Sequence, residues 1–155
     1  MGDRGEHPQW GDVVAIQQLV LEHCDTVTRG DWDRFEAIYV EDAVWEESAP
    51  LEGRAEGARA IRERSETMTS SVDLFLQVTH GTVVTLVDAD HATARSPIRG
   101  FAVVNGRSFE NHGIYYDQLV RTAAGWRFQQ RYLQNLYVEE GEFTGALAIA
   151  RADIR

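Results

Sequence analysis

The sequence predicts an α+β fold: a strongly curved, mixed or antiparallel β-sheet wrapped around N-terminal helices to make a cone. Three observations predict it. Apolar residues recur at helical spacing as far as about Thr67, the period changes to two from Leu74 onward, and short turns rich in Gly, Asp and Asn separate the alternating segments. Helices followed by a long meander leave the sheet one face to cover, and a sheet curved over helices has a mouth that can hold a ligand.

The elements follow in order. Residues 1–10 carry Gly, Pro and charge and are expected to be mobile, with the folded domain at 11–138. Val13, Ile16, Val20 and Val27 form an apolar stripe with Asp12 as its expected N-cap and Gly30 as its stop. Asp31 caps a second short helix from Trp32 to about Val40, with Phe35, Ile38 and Tyr39 inward. Ala43 to Glu47 reads as a strand, Pro50 and Gly53 as a loop, and Ala58 to about Thr67 as a third helix. The later strands are expected at about Leu74–Thr79, Thr82–Val87, Ala92–Val104, Phe109–Arg121 and Trp126–Val138. The tail, 139–155, is expected to be weakly ordered, with a short helix from about Thr144 to Ala150.

Composition narrows the function. The chain has 155 residues, 43% hydrophobic, 26% charged and 10% aromatic, which suits one domain with its own core. No apolar run approaches the roughly 18–20 residues of a membrane span, so no membrane association is expected. The first residues lack the basic-then-apolar pattern of a signal peptide. A single cysteine, Cys24, makes neither an internal disulfide nor a zinc cluster, and a reduced, cytoplasmic location is expected. Twenty-five acids against fifteen bases give a net charge of −10 with no basic stripe, so nucleic acid is not an expected partner. Every base is Arg, and the lack of Lys excludes lysine Schiff-base chemistry. No metal-ligand spacing, phosphate loop or Gly-x-Ser-x-Gly motif is present, so neither a metal nor another cofactor is expected.

A set of short motifs carries a resemblance. Arg29-Gly30-Asp31-Trp32-Asp33, Tyr39-Val40-Glu41-Asp42-Ala43-Val44-Trp45, and Leu51-Glu52-Gly53-Arg54 before Ala60-Ile61-Arg62 stand in that order. Asp88-Ala89-Asp90-His91-Ala92-Thr93-Ala94, Gly113-Ile114-Tyr115-Tyr116-Asp117 and Gly125-Trp126-Arg127-Phe128 follow. Together they resemble the SnoaL-like group of the nuclear transport factor 2-like superfamily over about Val13 to Val138. The superfamily includes polyketide cyclases, ketosteroid isomerases, scytalone dehydratase and a hexachlorocyclohexane dehydrochlorinase, beside members that only bind or dimerise. The resemblance implies the cone fold and a homodimer formed through the outer face of the sheet.

The resemblance also offers two ways to place a site. In the dehydratases and the dehydrochlorinase an Asp–His dyad removes a proton. Thr28 stands at the Asp position, with Asp25 one turn earlier on the same helix. The His position falls at Gln77 to Thr79, with His80 just beyond; His23 matches a pocket lysine and Arg131 a pocket arginine. In the ketosteroid isomerases a carboxylate base works with a Tyr and a protonated Asp that stabilise the enolate oxygen. Spacing puts Glu47 at the base, His23 at the Tyr and Asp117 at the protonated Asp. Alternation sets Glu47 on the same face as Trp45, and Asp117 with Gly113 and Tyr115.

These readings lead to a cofactor-independent lyase, isomerase or cyclase acting on a hydrophobic, oxygenated small molecule such as a polyketide, terpenoid or steroid. Glu47 or His80 would take the proton. His23, Asp117 and Arg131 would stabilise the oxyanion or leaving group, and Trp45, Phe101, Tyr115 and Phe128 would hold the substrate. A binding or assembly module without catalysis stands as the alternative, because the dyad carboxylate is replaced by Thr28.

Overall fold

A computed structural model describes residues 9–154. Helix α1 spans Trp10–Arg29 and ends where Gly30 turns left-handed at φ 73°, its amide returning to the Thr26 carbonyl. Asp12 has another role from the one expected: it sits inside the helix, and its carboxylate accepts from Trp126 Nε1 at 3.0 Å and pairs with Arg121 at 2.7 Å. It therefore ties the start of α1 to the last strands. Asp31 does cap α2, Trp32–Ala37, accepting from the Arg34 amide. That helix is shorter than expected, because Tyr39 already pairs with Phe128 in the sheet. A strand then runs Tyr39–Glu47 (β1), and Gly53–Glu56 (β2) folds back on it where a loop was expected. Helix α3 covers Ala58–Ser70.

The remaining strands are β3 (Leu74–Thr79), β4 (Val83–Leu86), β5 (His91–Val104), β6 (Arg107–Thr122) and β7 (Gly125–Glu142). They complete a seven-stranded, curved and unclosed sheet in the order β2-β1-β7-β6-β5-β3, with β4 also on β5. All pairings are antiparallel except β1 with β7, which is parallel. The sheet is therefore mixed. Residues 144–150 form no helix; a 3-10 turn at Arg151–Asp153 is the tail's regular element. The expected mobile start falls largely on residues 1–8, outside the described residues. Among the described residues no helix is long and apolar enough to cross a membrane.

Two irregularities decide which side chains enter the cone. Between Gln118–Gln130 and Leu119–Phe128 the pairing of β6 with β7 slips by one residue, leaving Gln129 as a bulge. Trp126 and Phe128 face inward before it, and Arg131 and Leu133 face inward after it. Uninterrupted alternation from Trp126 would have turned Arg131 to solvent. A second slip, at Leu136, leaves Leu136 and Tyr137 outward in succession and returns Val138 to the interior side.

Candidate active site

The cone holds two layers of side chains. The deep layer is a packed polar–aromatic core. Arg131 has no solvent exposure, and its guanidinium donates to both carboxylate oxygens of Asp117, at 2.7 and 3.1 Å. The same guanidinium lies 3.8 Å from the ring centre of Tyr115 and 4.0 Å from that of Phe128. Burial pulls the Asp117 carboxyl upward, while the paired guanidinium favours its ionised form. His23 is buried beside this pair, with Nδ1 3.2 Å from the Tyr39 hydroxyl and its ring edge-on to Tyr115. Burial, and then the charge of Arg131, hold its pKa well below the usual histidine value, so the ring is neutral at pH 7.

Above that layer opens a cavity of about 310 Å³, largely apolar in its lining. Trp45 and Glu47 enter it from β1, Phe75 and Gln77 from β3, and Phe101 from β5. Asn111 and Tyr115 enter from β6 and Leu133 from β7, with Met68 of α3 at the edge. Three larger hollows, about 600, 690 and 910 Å³, are open to solvent. Two lie along the C-terminal tail and the third among the charged side chains of α2 and α3. None encloses a titratable group among apolar walls, the arrangement expected of a small-molecule site.

Two carboxylates border the cavity, Glu47 and Glu110; Glu110 is held by Arg99 and His112, and Glu47 has no such ion pair among the described residues. Burial raises its pKa; the Asn135 amide, donating to Oε1 at 3.1 Å, and the nearby charge of Arg64 pull the other way. Arg64 reaches Glu47 by a specific route. Gly53 is the register partner of Glu47, and the space that a Cβ at Gly53 would need is occupied by the Arg64 guanidinium. The same guanidinium lies 5.1 Å from the ring centre of Trp45. Trp45 Nε1 in turn donates to the Tyr115 hydroxyl at 3.3 Å, leaving the phenolic proton free for another acceptor. Burial pushes the Tyr115 pKa up to about 12, so it is a neutral donor across the neutral range.

The predicted site residues therefore divide. Glu47, Trp45, Phe101 and Tyr115 are brought together at the cavity. Asp117, Arg131, His23 and Phe128 do not line it; they are one layer deeper and engaged with each other or with Tyr39 and Tyr115. Asp117 is thus no free donor to an oxyanion, since both its oxygens already accept from Arg131. His80 is corrected outright: it lies past the end of β3, exposed, where its amide meets the Pro97 carbonyl. Asp25 faces solvent and pairs with Arg29 and Arg34. Thr28, at the dyad carboxylate position, accepts from the Gln77 amide at 3.1 Å and so supports β3.

Gln77, Asn111, Asn135 and Arg64 were missed. Asn111 was accessible in principle, because alternation puts it on the face of Gly113 and Tyr115. Asn135 was hidden by the bulge at Gln129. Among the described residues no group of three or more His, Cys, Asp or Glu is arranged to hold a metal.

A helix-lined, unclosed cone with a cavity at its mouth is the nuclear transport factor 2-like class of fold. The model of the SnoaL-like domain family matches residues 9–132, and the chain belongs to that family. Among solved structures, a provisionally named aromatic ring hydroxylase from Novosphingobium aromaticivorans superposes with a TM-score of 0.80 at 24% identity, covering 87% of this chain and 96% of its own. A provisionally named scytalone dehydratase from the same organism gives 0.76 at 16% identity, covering 94% and 95%. The type-3 hexachlorocyclohexane dehydrochlorinase of Novosphingobium barchaimii gives 0.77 at 17%, covering 91% and 96%. At these identities the likeness establishes the fold. No curated protein matches the sequence.

Proposed function

We propose that the protein is a proton-transfer catalyst, of lyase, isomerase or cyclase type, acting without a cofactor on a hydrophobic oxygenated small molecule held in the 310 Å³ cavity. One observation carries this reading: a half-buried carboxylate of raised pKa, Glu47, shares an apolar cavity with a phenolic hydroxyl whose proton is free, that of Tyr115. In the Michaelis complex the carboxylate removes a proton from the carbon beside a carbonyl. The electron pair moves to the carbonyl oxygen, where the Tyr115 hydroxyl donates to the developing enolate. The protonated Glu47 then returns its proton to the same or a conjugated carbon, or the enolate expels a leaving group. Trp45 and Phe101 supply flat apolar walls for a ring.

Deuterium exchange into a cyclic ketone or enone tests the reading. The wild type is expected to exchange the α-hydrogens with many turnovers, and Glu47→Gln to lose at least a hundredfold in rate. Equal rates for the two proteins would remove Glu47 from the chemistry. A second reading, a binding module of the same fold, is favoured by one observation: Thr28, Gln77 and the exposed His80 leave no Asp–His dyad. It predicts binding that survives Glu47→Gln and no exchange by either protein. The proposal also includes a homodimer formed through the outer face of the sheet, where Tyr116 and Tyr132 lie side by side with centroids 6.4 Å apart. Sedimentation of the wild type against Tyr116→Glu tests the dimer, with a shift to monomer expected.

A further inference from the structure

The cavity wall between α3 and β3 is built in two halves. Met68 stands in the last turn of α3, and Phe75 and Gln77 stand on β3; all three border the cavity. The halves rest on different supports. Helix α3 packs against α2, β1 and β2, whereas β3 packs against α1 and pairs with β5. Val72, in the turn that joins the halves, borders both the cavity and the hollow of about 690 Å³ along the C-terminal tail.

One side chain ties the two supports together from the far end of the sequence. The Arg151 guanidinium donates to the carbonyls of Val27 at 2.8 Å and Thr28 at 3.5 Å, at the end of α1, and to that of Thr69 at 2.6 Å, at the end of α3. Carbonyls in the last turn of a helix have no partner within the helix. Neither helix end supplies a cation of its own for them: α3 has no basic residue in its last turn, and Arg29 of α1 pairs with Asp25. Each contact of Arg151 has a cavity residue beside it. Thr69 follows Met68, the Thr28 hydroxyl accepts from the Gln77 amide at 3.1 Å, and the guanidinium lies 6.0 Å from the Phe75 ring centre.

We propose that Arg151 is a positioning residue for the cavity. By pinning the end of α3 to the end of α1, it fixes the spacing between Met68 and the β3 residues Phe75 and Gln77, and with it the width of ring system that the cavity admits. Arg151 does not line the cavity and acts through the wall. Without the guanidinium the three carbonyls turn to water, and the end of α3 is free to draw away from β3, which lies at the edge of the sheet. The inference rests on the reading that this cavity is the ligand site, and it concerns the size of the ligand rather than its chemistry.

Fluorescence titration of the full chain with a two-ring ketone, α-tetralone, and a three-ring one, tetrahydrophenanthrenone, tests this. Arg151→Met keeps an apolar stem and removes the donors. Its ratio of affinities is expected to move at least fivefold from the wild-type ratio toward the three-ring ketone. Arg151→Lys, whose ammonium serves one helix end at a time, carries the test if the Met variant does not fold; its ratio is expected to move at least twofold the same way. Each titration is made well below the melting temperature, where a purely structural loss would leave the ratio unchanged. In a methyl-labelled chain the Met68 methyl resonance is expected to shift in the same variants before any ligand is added. A ratio that moves by less in the folded variants or toward the two-ring ketone, an unmoved Met68 resonance, or binding of neither ketone by the wild type overturns the proposal. Binding is read without turnover. A shifted ratio beside failed deuterium exchange therefore rejects the catalytic role of Glu47 alone, whereas exchange with an unshifted ratio rejects the role of Arg151 alone.

Discussion

Arg131 of β7 and Asp117 of β6 are register partners across the sheet, and their side chains meet in a two-pronged ion pair with no solvent exposure on either side chain. The bulge at Gln129 makes the pairing possible by turning Arg131 inward. Around it stand Phe128, Tyr115 and His23, so the pair is the polar centre of the core and the support on which the cavity floor rests.

Removing one partner leaves the other charge buried and alone. Arg131→Met or Asp117→Leu is expected to cost about 3–5 kcal/mol of unfolding free energy, and the double substitution less than the sum. Urea denaturation of the two single variants and the double variant measures this. Additive losses would show that the pair does not act as a unit.

The activity should follow the ionisation of Glu47. Its pKa is raised, so deuterium exchange is expected to increase with pH through a midpoint above the ordinary glutamate value of 4.5 as the carboxylate forms. Because the Asn135 donor lowers that pKa, Asn135→Leu is expected to move the midpoint to higher pH. Stability carries the opposite sign. Between 4.5 and the raised value the native state binds more protons than the unfolded chain, so the Glu47 contribution to stability falls as pH rises. Glu47→Gln should remove that part of the pH dependence, as read from melting curves across the window.

Gly53→Ala tests how Arg64 is held. Its methyl group needs the space of the Arg64 guanidinium, the far end of a flexible side chain, so the arginine moves rather than the strand. Stability is expected to change by about 1 kcal/mol or less. The loss of a nearby positive charge should shift the Glu47 midpoint upward, and a pH–rate profile identical to wild type would show that Arg64 does not act on Glu47.

Arg151 fastens the C-terminal tail. Its guanidinium donates to the carbonyls of Val27 at 2.8 Å and Thr69 at 2.6 Å, at the C-terminal ends of α1 and α3, where a cation is favoured. Arg151→Ala is expected to cost about 1–3 kcal/mol and to speed amide exchange in residues 143–150. Unchanged exchange there would mean that other contacts hold the tail.

Much of this molecule was legible in its sequence. The α1 stripe, the Gly30 stop, the Asp31 cap and the limits of β3 depend on local chemistry, and all four stand where the residues put them. Glu47, Trp45 and Tyr115 were found on the inner face because no bulge intervenes on the stretches of strand that carry them. The failures have a shared cause. The N-cap role expected of Asp12 gave way to bonds with Trp126 and Arg121, which lie more than a hundred residues away in the chain. The end of α2 gave way to the pairing of Tyr39 with Phe128, and β2 exists because β1 offered an edge.

The sequence by itself determined the kind of fold and the carboxylate at its mouth, because periodicity, caps and turns are properties of neighbouring residues. The tertiary structure decided how the polar residues divide between core and cavity. Single-residue slips in β7 reverse the faces of the residues beyond them, and no local pattern announces them. The slip at Gln129 sent Arg131 inward to meet Asp117, and brought Asn135 to Glu47 and Asn111. A hydrogen-bond partner depends on which strand lies alongside, and that is settled only when the whole sheet has curved over the helices.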